Sequence, residues 1–233
     1  MNTRLVILFV LVVSAIACVA EPQQAPQEDH ARKQFDVAQA SMDQAAKATE
    51  ERYGRMSVEE LTRALEQEAE QGREPFNSPA FREVVKRRDA ASQVLASIKT
   101  STRKEYFKLM ALKRLDAAAF VRVPPDQGAA ILADALARSE TFNGWGIPGF
   151  YWESSARAII EYGPNAVPHI EPLLKDKRLA PVWGSEEALI SAQYQFRVCD
   201  YALALLNAIN GKDSGALPQL PADRDRLVEA YRR

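Results

Sequence analysis

His169 and Cys199 are the two side chains in this sequence that could form a nucleophile and its base. Such a dyad needs the imidazole within hydrogen-bond reach of the thiol and an acid to orient it. Glu171, two positions beyond His169, falls on a different helix face. Cys199 lies among Phe196, Val198, Tyr201 and Leu203, a setting typical of an inert buried thiol. With His30 and Cys18 as the only other histidine and cysteine, the usual zinc ligand sets are not assembled, and no metal is expected. Glu153, Glu161, Glu186 and Glu187 offer carboxylates for acid–base hydrolysis if the fold converges two of them. Gly144-Trp145-Gly146-Ile147-Pro148-Gly149 fits G-x-G-x-x-G, but a dinucleotide loop needs a strand before it and a β-α-β unit around it. Here the preceding Ala-Leu-Ala-Arg-Ser-Glu reads as helix and no strand is expected to follow. The run therefore reads as an inter-helix turn, with no cofactor.

Two surfaces suit binding better than chemistry. Trp145, Phe150, Tyr151 and Trp152 flank one expected loop, and Trp183 and Tyr194 flank another. If the two loops share an edge they make a rigid aromatic patch for a protein partner; otherwise the rings fill the core. Charge is also uneven. Glu21 to Gln71 holds 12 acidic and 6 basic residues, and Arg82 to Arg114 holds 10 basic and 3 acidic. Acidic and basic helices packed together would account for this. So would a basic face of Lys86, Arg87, Arg88, Arg103 and Lys104 meeting an anionic lipid or envelope polymer. A net charge of −1, and no aromatics interleaved with those cations, argue against a nucleic-acid partner.

The N-terminus reads as a targeting segment. Arg4 precedes an apolar run from Leu5, and Ala15-Ile16-Ala17 supplies the small residues a signal peptidase accepts. The signal peptide is expected to span 1–17, or 1–20, which makes this an exported protein of the periplasm or the membrane-anchored cell envelope. Ala15-Ile16-Ala17-Cys18 resembles the bacterial lipobox, with Ala where Leu is usual. The resemblance implies lipidation of Cys18 and a membrane tether; the alternative is a plain secretory signal. Residues 18–29, polar and proline-rich, read as a flexible tether.

The elements that must position these residues read as all-α. Phe35, Met42, Thr49 and Met56 recur every seven residues with Ala38 and Ala45 between them, a narrow seam on a long helix ended by Gly54. Ser57-Val58-Glu59-Glu60 is a capping box opening a helix to about Gln71, and Ser78-Pro79 restarts the chain with a cap and a first-turn proline. Phe81, Val84, Val85, Val94, Leu95 and Ile98 line one broad face. Thr102-Arg103-Lys104-Glu105 is a further capping box. Residues 30–122 thus form a helical hairpin or bundle, and Val123-Pro124-Pro125 is the expected domain boundary.

The remaining half carries an internal match. Ala156-Arg-Ala-Ile-Ile-Glu-Tyr-Gly163 runs into Pro-Asn-Ala-Val-Pro168, and Ala202-Leu-Ala-Leu-Leu-Asn-Ala-Ile-Asn-Gly211 runs into Lys-Asp-Ser-Gly-Ala-Leu-Pro218. Each is an Ala-rich helix, a Gly stop, a short turn and an apolar residue before Pro. Tyr162-Gly-Pro-Asn-Ala-Val-Pro-His-Ile-Glu-Pro-Leu-Leu-Lys-Asp176 resembles the turn and first helix of bacterial HEAT-like repeats. A long aromatic insertion, Arg178–Tyr194, departs from that pattern. The helix pairs are expected at 126–138 with 151–162 and 164–175 with 195–210, followed by a terminal helix capped by Asp223, so that 123–233 forms the repeat half. The resemblance implies a non-catalytic scaffold that holds a protein partner on its repeat surface. Two other functions stay open: an envelope hydrolase with paired carboxylates, and a structural protein whose basic helices hold an anionic polymer.

Overall fold

A computed structural model describes residues 25–71, 74–99, 103–212 and 215–232. The signal segment, Cys18, Thr102 of the last capping box and the first part of the tether lie outside them. The fold is all-α, and the chain divides into two units, residues 1–49 and 50–233.

The long helix α1 (Ala25–Gly54), of which residues 25–49 belong to the first unit and 50–54 to the second, begins five residues inside the stretch expected as tether. Gly54 ends it, as the pattern requires. Two of its four seam residues, Phe35 and Met42, are 68% and 67% exposed, Thr49 is half-buried, and Met56, just past the helix, packs partly buried against the core.

Helix α2 (Val58–Glu70) follows in the second unit, and its capping box is formed: the Ser57 hydroxyl accepts from Glu60 N, and the Glu60 carboxylate accepts from Ser57 N at 2.7 Å. Leu61, Leu65 and Ala69 form its buried stripe. The broad face expected across residues 81–98 is divided. It comprises α3 (Pro79–Val84), a 3-10 turn (Arg88–Ala90) and α4 (Ala91–Ser97). Phe81, Val84 and Val94 nevertheless all reach the core. Helix α5 (Arg103–Leu115) is buried along most of its length and packs against α2, α4 and the later helices.

No domain boundary falls at Val123-Pro124-Pro125. Helices α6 (Ala117–Val121) and α7 (Pro125–Arg138) turn there, Val123 is buried, and one continuous apolar core runs from Leu61 to Val228. Prolines end helices without ending domains, because they remove a backbone donor and leave the side-chain packing intact.

Beyond α7 comes a loop with a two-residue hairpin, β1 (Gly146–Ile147) and β2 (Tyr151–Trp152), then helix α8 (Ser154–Glu161). The chain continues through a 3-10 turn (Gly163–Ala166), α9 (Val167–Ile170) and another 3-10 turn (Glu171–Lys175). The sequence predicts one helix over 164–175. Pro164, Pro168 and Pro172, spaced by four, each delete an amide donor and break it into these pieces. The insertion pairs its first residues with the chain after it (Ala180 N to Phe196 O, 2.8 Å; Val198 N to Arg178 O, 3.0 Å) and then forms α10 (Ser185–Tyr194).

Helices α11 (Val198–Ile209) and α12 (Pro221–Tyr231) close the unit. Leu220 is the N-cap of α12, so Asp223 sits within its first turn and pairs with Arg226. A buried ionic cluster joins them. Asp200 accepts hydrogen bonds from Arg197 (3.0 and 3.1 Å) and is ion-paired with Arg224, whose Nε lies 3.0 Å away, while Arg224 donates to the carbonyls of Tyr194, Gln195, Pro218 and Gln219.

Candidate functional site

A cleft of about 560 Å³ opens where four segments of the second unit meet. Glu74, Phe76 and Asn77 come from the 3-10 turn before α3, Thr141, Asn143 and Gly144 from the loop after α7, Glu153 and Ser154 from the start of α8, and Trp183 and Gly184 from the end of the insertion. Arg114, near the end of α5, completes the wall. Glu74–Asn77, Glu153–Ser154 and Trp183–Gly184 each lie at or just before the start of a helix, and Thr141–Gly144 lies in the loop between α7 and β1. The floor is rigid. The indole of Trp145 lies fully buried, stacked on Tyr106 at 6.3 Å, with its Nε1 donating to Ser139 Oγ at 3.0 Å. Tyr106 in turn shares a hydrogen bond of 2.7 Å with Ser155.

Trp183 is the outlier of the site. Its residue is 65% exposed, yet its backbone is clamped from both sides by one side chain. Asn143 Nδ2 donates to the Trp183 carbonyl, and Asn143 Oδ1 accepts from Trp183 N at 3.0 Å. A large aromatic group is thereby presented to solvent from a fixed anchor.

Glu74 is the electrostatic counterpart. It caps the turn Pro75–Asn77 in extended conformation, which carries its carboxylate beneath the cleft wall. Burial pushes its pKa up from the usual carboxylate range to about 7, against the opposing pull of Arg103, 3.6 Å away, and of a hydrogen bond from Thr141. Glu153, the N-cap of α8, is exposed, and its Oε2 accepts from Ser154 N at 3.3 Å. The cleft therefore holds one carboxyl that ionises near neutrality and a second, solvent-facing carboxylate.

The expected aromatic patch separates into parts. Trp145 belongs to the core, because the loop folds its ring inward onto Tyr106. Phe150 meets Tyr194 edge-on at 5.4 Å, and Tyr194 stacks on Phe196 at 5.0 Å. The ring of Tyr151 is exposed and Trp152 is half-buried. Trp183 alone of the six lines the cleft; it also borders a shallow apolar groove with Leu179, Pro181 and Ala188.

The basic face is mostly taken up by neighbouring acids and carbonyls. Lys86 pairs with Glu83 at 3.2 Å, Arg103 with Glu74, and Lys104 with Glu70 at 2.6 Å. Arg87 donates to Met56 O at 2.6 Å and Gly54 O at 2.7 Å, closing the carbonyl end of α1, while Arg88 is exposed. Of the carboxylates, Glu161 is bound to Lys113. Glu153 and Glu187 both lie close enough to raise the pKa of the Tyr151 phenol, although burial is its main cause. The side chain of Glu186 lies outside the described part.

His169 and Cys199 go to different partners. His169 Nε2 meets Asp126 Oδ1 at 2.8 Å, tying α9 to α7. Cys199 is buried, and burial pushes its thiol up to about 11, the reverse of an activated nucleophile. The glycine motif has a structural use. Contrary to expectation a strand follows it, since Gly146 opens the hairpin and Tyr151–Trp152 completes it. Gly146 and Gly149 both take positive φ, 85° and 79°. A Cβ on Gly149 would lie 2.5 Å from the carbonyl of Gly215.

Glu74, Thr141 and Asn143 were not singled out by the sequence. The signal for Glu74 is faint, a carboxylate directly before Pro75 after the break at Gly72. Nothing in the residues near Asn143 marks Trp183 as its partner. No family model matches this chain, and neither a curated protein nor a solved structure does.

Proposed function

We propose that this chain is an exported, non-catalytic binding protein of the bacterial cell envelope whose working surface is the cleft beside Trp183. The observation that carries the reading is the indole itself, exposed on a backbone that Asn143 holds at both its amide and its carbonyl. Aromatic anchors of this kind dominate binding energy, and fixing one in advance lowers the ordering cost of association. The resemblance of residues 162–176 to HEAT-like repeats agrees with a scaffold, and the signal segment and Cys18 agree with a tethered envelope protein. A partner protein that presents the ligand of the cleft fits the same reading.

A photo-crosslinking residue placed at exposed Asn77, beside the cleft, tests it in cells, with the same residue at Leu189 and Glu229 for comparison. Adducts confined to position 77 are expected, whatever their chemical class. Adducts confined to position 189 would move the working surface to the apolar groove and refute the proposal. For the anchor, intact mass of the mature protein is expected to show an acylated chain starting at Cys18 that Cys18→Ala abolishes. A soluble chain starting at Glu21 would remove the tether.

One observation favours a second reading, an envelope hydrolase. Glu74 and Glu153 line the same cleft, Glu74 with a pKa raised by burial and Glu153 exposed at the start of α8, so two carboxyl groups in different surroundings face one space. Loss of ligand turnover in both Glu74→Gln and Glu153→Gln would establish it. Recovery of the bound ligand chemically unchanged after long incubation with the wild-type chain would refute it.

A further inference from the structure

We infer that the cleft takes a saccharide, with the indole of Trp183 against the C–H face of a sugar ring and Glu74, Glu153 and Asn77 on its hydroxyls. The inference rests on the reading of this cleft as the binding surface.

A sugar ring presents one apolar face and a rim of hydroxyls, each able to donate and to accept. The first wants a flat aromatic surface, and Trp183 and Phe76 both line the cleft. The second wants carboxylate acceptors and amide groups that serve both roles. Glu153 and Asn77 stand exposed at the rim, and Glu74 lies half-buried in the wall. Hydrogen bonds from hydroxyls to an ionised carboxylate are among the stronger ones. The volume, about 560 Å³, is within the range of small-ligand sites, roughly 300–1,000 Å³.

Other chemistries fit the walls less well. A nucleotide or other polyphosphate would bring its charge against two carboxylates with Arg114 as the cation of the rim. A peptide that binds by strand addition needs an open strand edge, and the strands among the described residues are two residues long. A lipid tail needs continuous apolar walls, which Glu74, Asn77, Thr141, Asn143 and Glu153 interrupt.

The test uses the full chain and two soluble probes, a β-1,4-linked glucose tetrasaccharide and its N-acetylglucosamine counterpart, measured by calorimetry and by intrinsic fluorescence. Saturable binding of at least one is expected, with a loss of about 10-fold or more in Trp183→Ala. Most of the affinity should be retained in Trp183→Phe. Tyr151→Ala, exposed but outside the cleft, should bind as wild type. Trp183 is a surface residue, and unchanged thermal melting of both variants will show that any loss is local. The inference is overturned if neither sugar binds at millimolar concentration, or if Trp183→Ala binds as well as wild type. Should the sugars fail while crosslinking at position 77 still succeeds, the ligand class falls and the cleft stands. Failure of both removes the cleft as well.

Discussion

Replacing Glu74 with Gln should make the protein more stable at pH 8 and leave it almost unchanged at pH 4. The folded state raises the pKa of this carboxyl from 4.5 to about 7, chiefly by burial. Between those values the unfolded chain has released its proton and the folded chain has not. Unfolding therefore releases a proton, and stability falls as pH rises through the window from about 4.5 to 7. At ~1.4 kcal/mol per pH unit, the full cost of keeping an ionised Glu74 in its site is about 3 kcal/mol above pH 7. Gln has the same shape and never ionises, so Glu74→Gln removes this cost. It also gives up the pairing with Arg103 at 3.6 Å, an attraction already contained in the net pKa. Urea unfolding of both proteins at pH 4, 6 and 8, followed by tryptophan fluorescence, gives the difference directly. The expected advantage of the variant is near zero at pH 4, intermediate at pH 6, and about 2–3 kcal/mol at pH 8. If the variant is equally or less stable at pH 8, Arg103 and Thr141 outweigh burial and the argument about this carboxyl is wrong.

Three further perturbations probe how the cleft is held. Arg224→Ala strips a fully buried guanidinium from Asp200 and from four carbonyls; breaking a buried pair costs about 3–5 kcal/mol, and at about 2–4 °C per kcal/mol the melting temperature should drop by roughly 6–20 °C. A fall of a degree or less in calorimetry would show the cluster to be dispensable. Gly149→Ala should cost about 1–2 kcal/mol for the left-handed backbone and a further ~1–3 kcal/mol for pushing apart the segment at Gly215 and Ala216. Gly163→Ala, with positive φ but open space around it, should show the backbone cost alone, and equal chemical-denaturation losses in the two would refute the close-approach argument. Arg87→Ala releases the carbonyls of Gly54 and Met56, at about 1.5–3 kcal/mol for a charged hydrogen bond; amide exchange of the residues around Met56 should accelerate selectively, and a uniform change would argue against a local capping role.

Much of the local structure was legible because it depends on local chemistry. The Ser57–Glu60 box, the restart at Ser78-Pro79 and the stop at Gly54 follow from which side chain can reach which orphan amide within a turn. The terminal helix was placed to within a few residues, with the cap wrongly given to Asp223 because Pro221 already opens the first turn. The mistaken boundary at Val123 and the single helix expected over 164–175 have one cause. Local breakers show only where a helix stops, while core continuity depends on contacts between distant residues.

The site itself was only half visible. Trp183 and Glu153 stood out by residue type, and the excess of acid in one segment and of base in another anticipated the pairs Lys104–Glu70 and Lys108–Glu66. Glu74 did not stand out, because a carboxylate becomes chemically distinct through its surroundings. The hairpin in the glycine motif was missed for a related reason: two residues per strand are too few to show alternation.

The sequence by itself determined an all-helical chain, its principal caps and stops, and the stock of side chains available for binding, since propensity, capping and composition act within a few residues. The tertiary structure decided which of those side chains are usable. It buried Trp145 and left Trp183 exposed, paired most of the basic face, sent His169 to Asp126 and Cys199 into the core, and set Glu74 and Glu153 around one cleft. Burial and electrostatic environment belong to the assembled fold, because each is set by groups far apart along the chain.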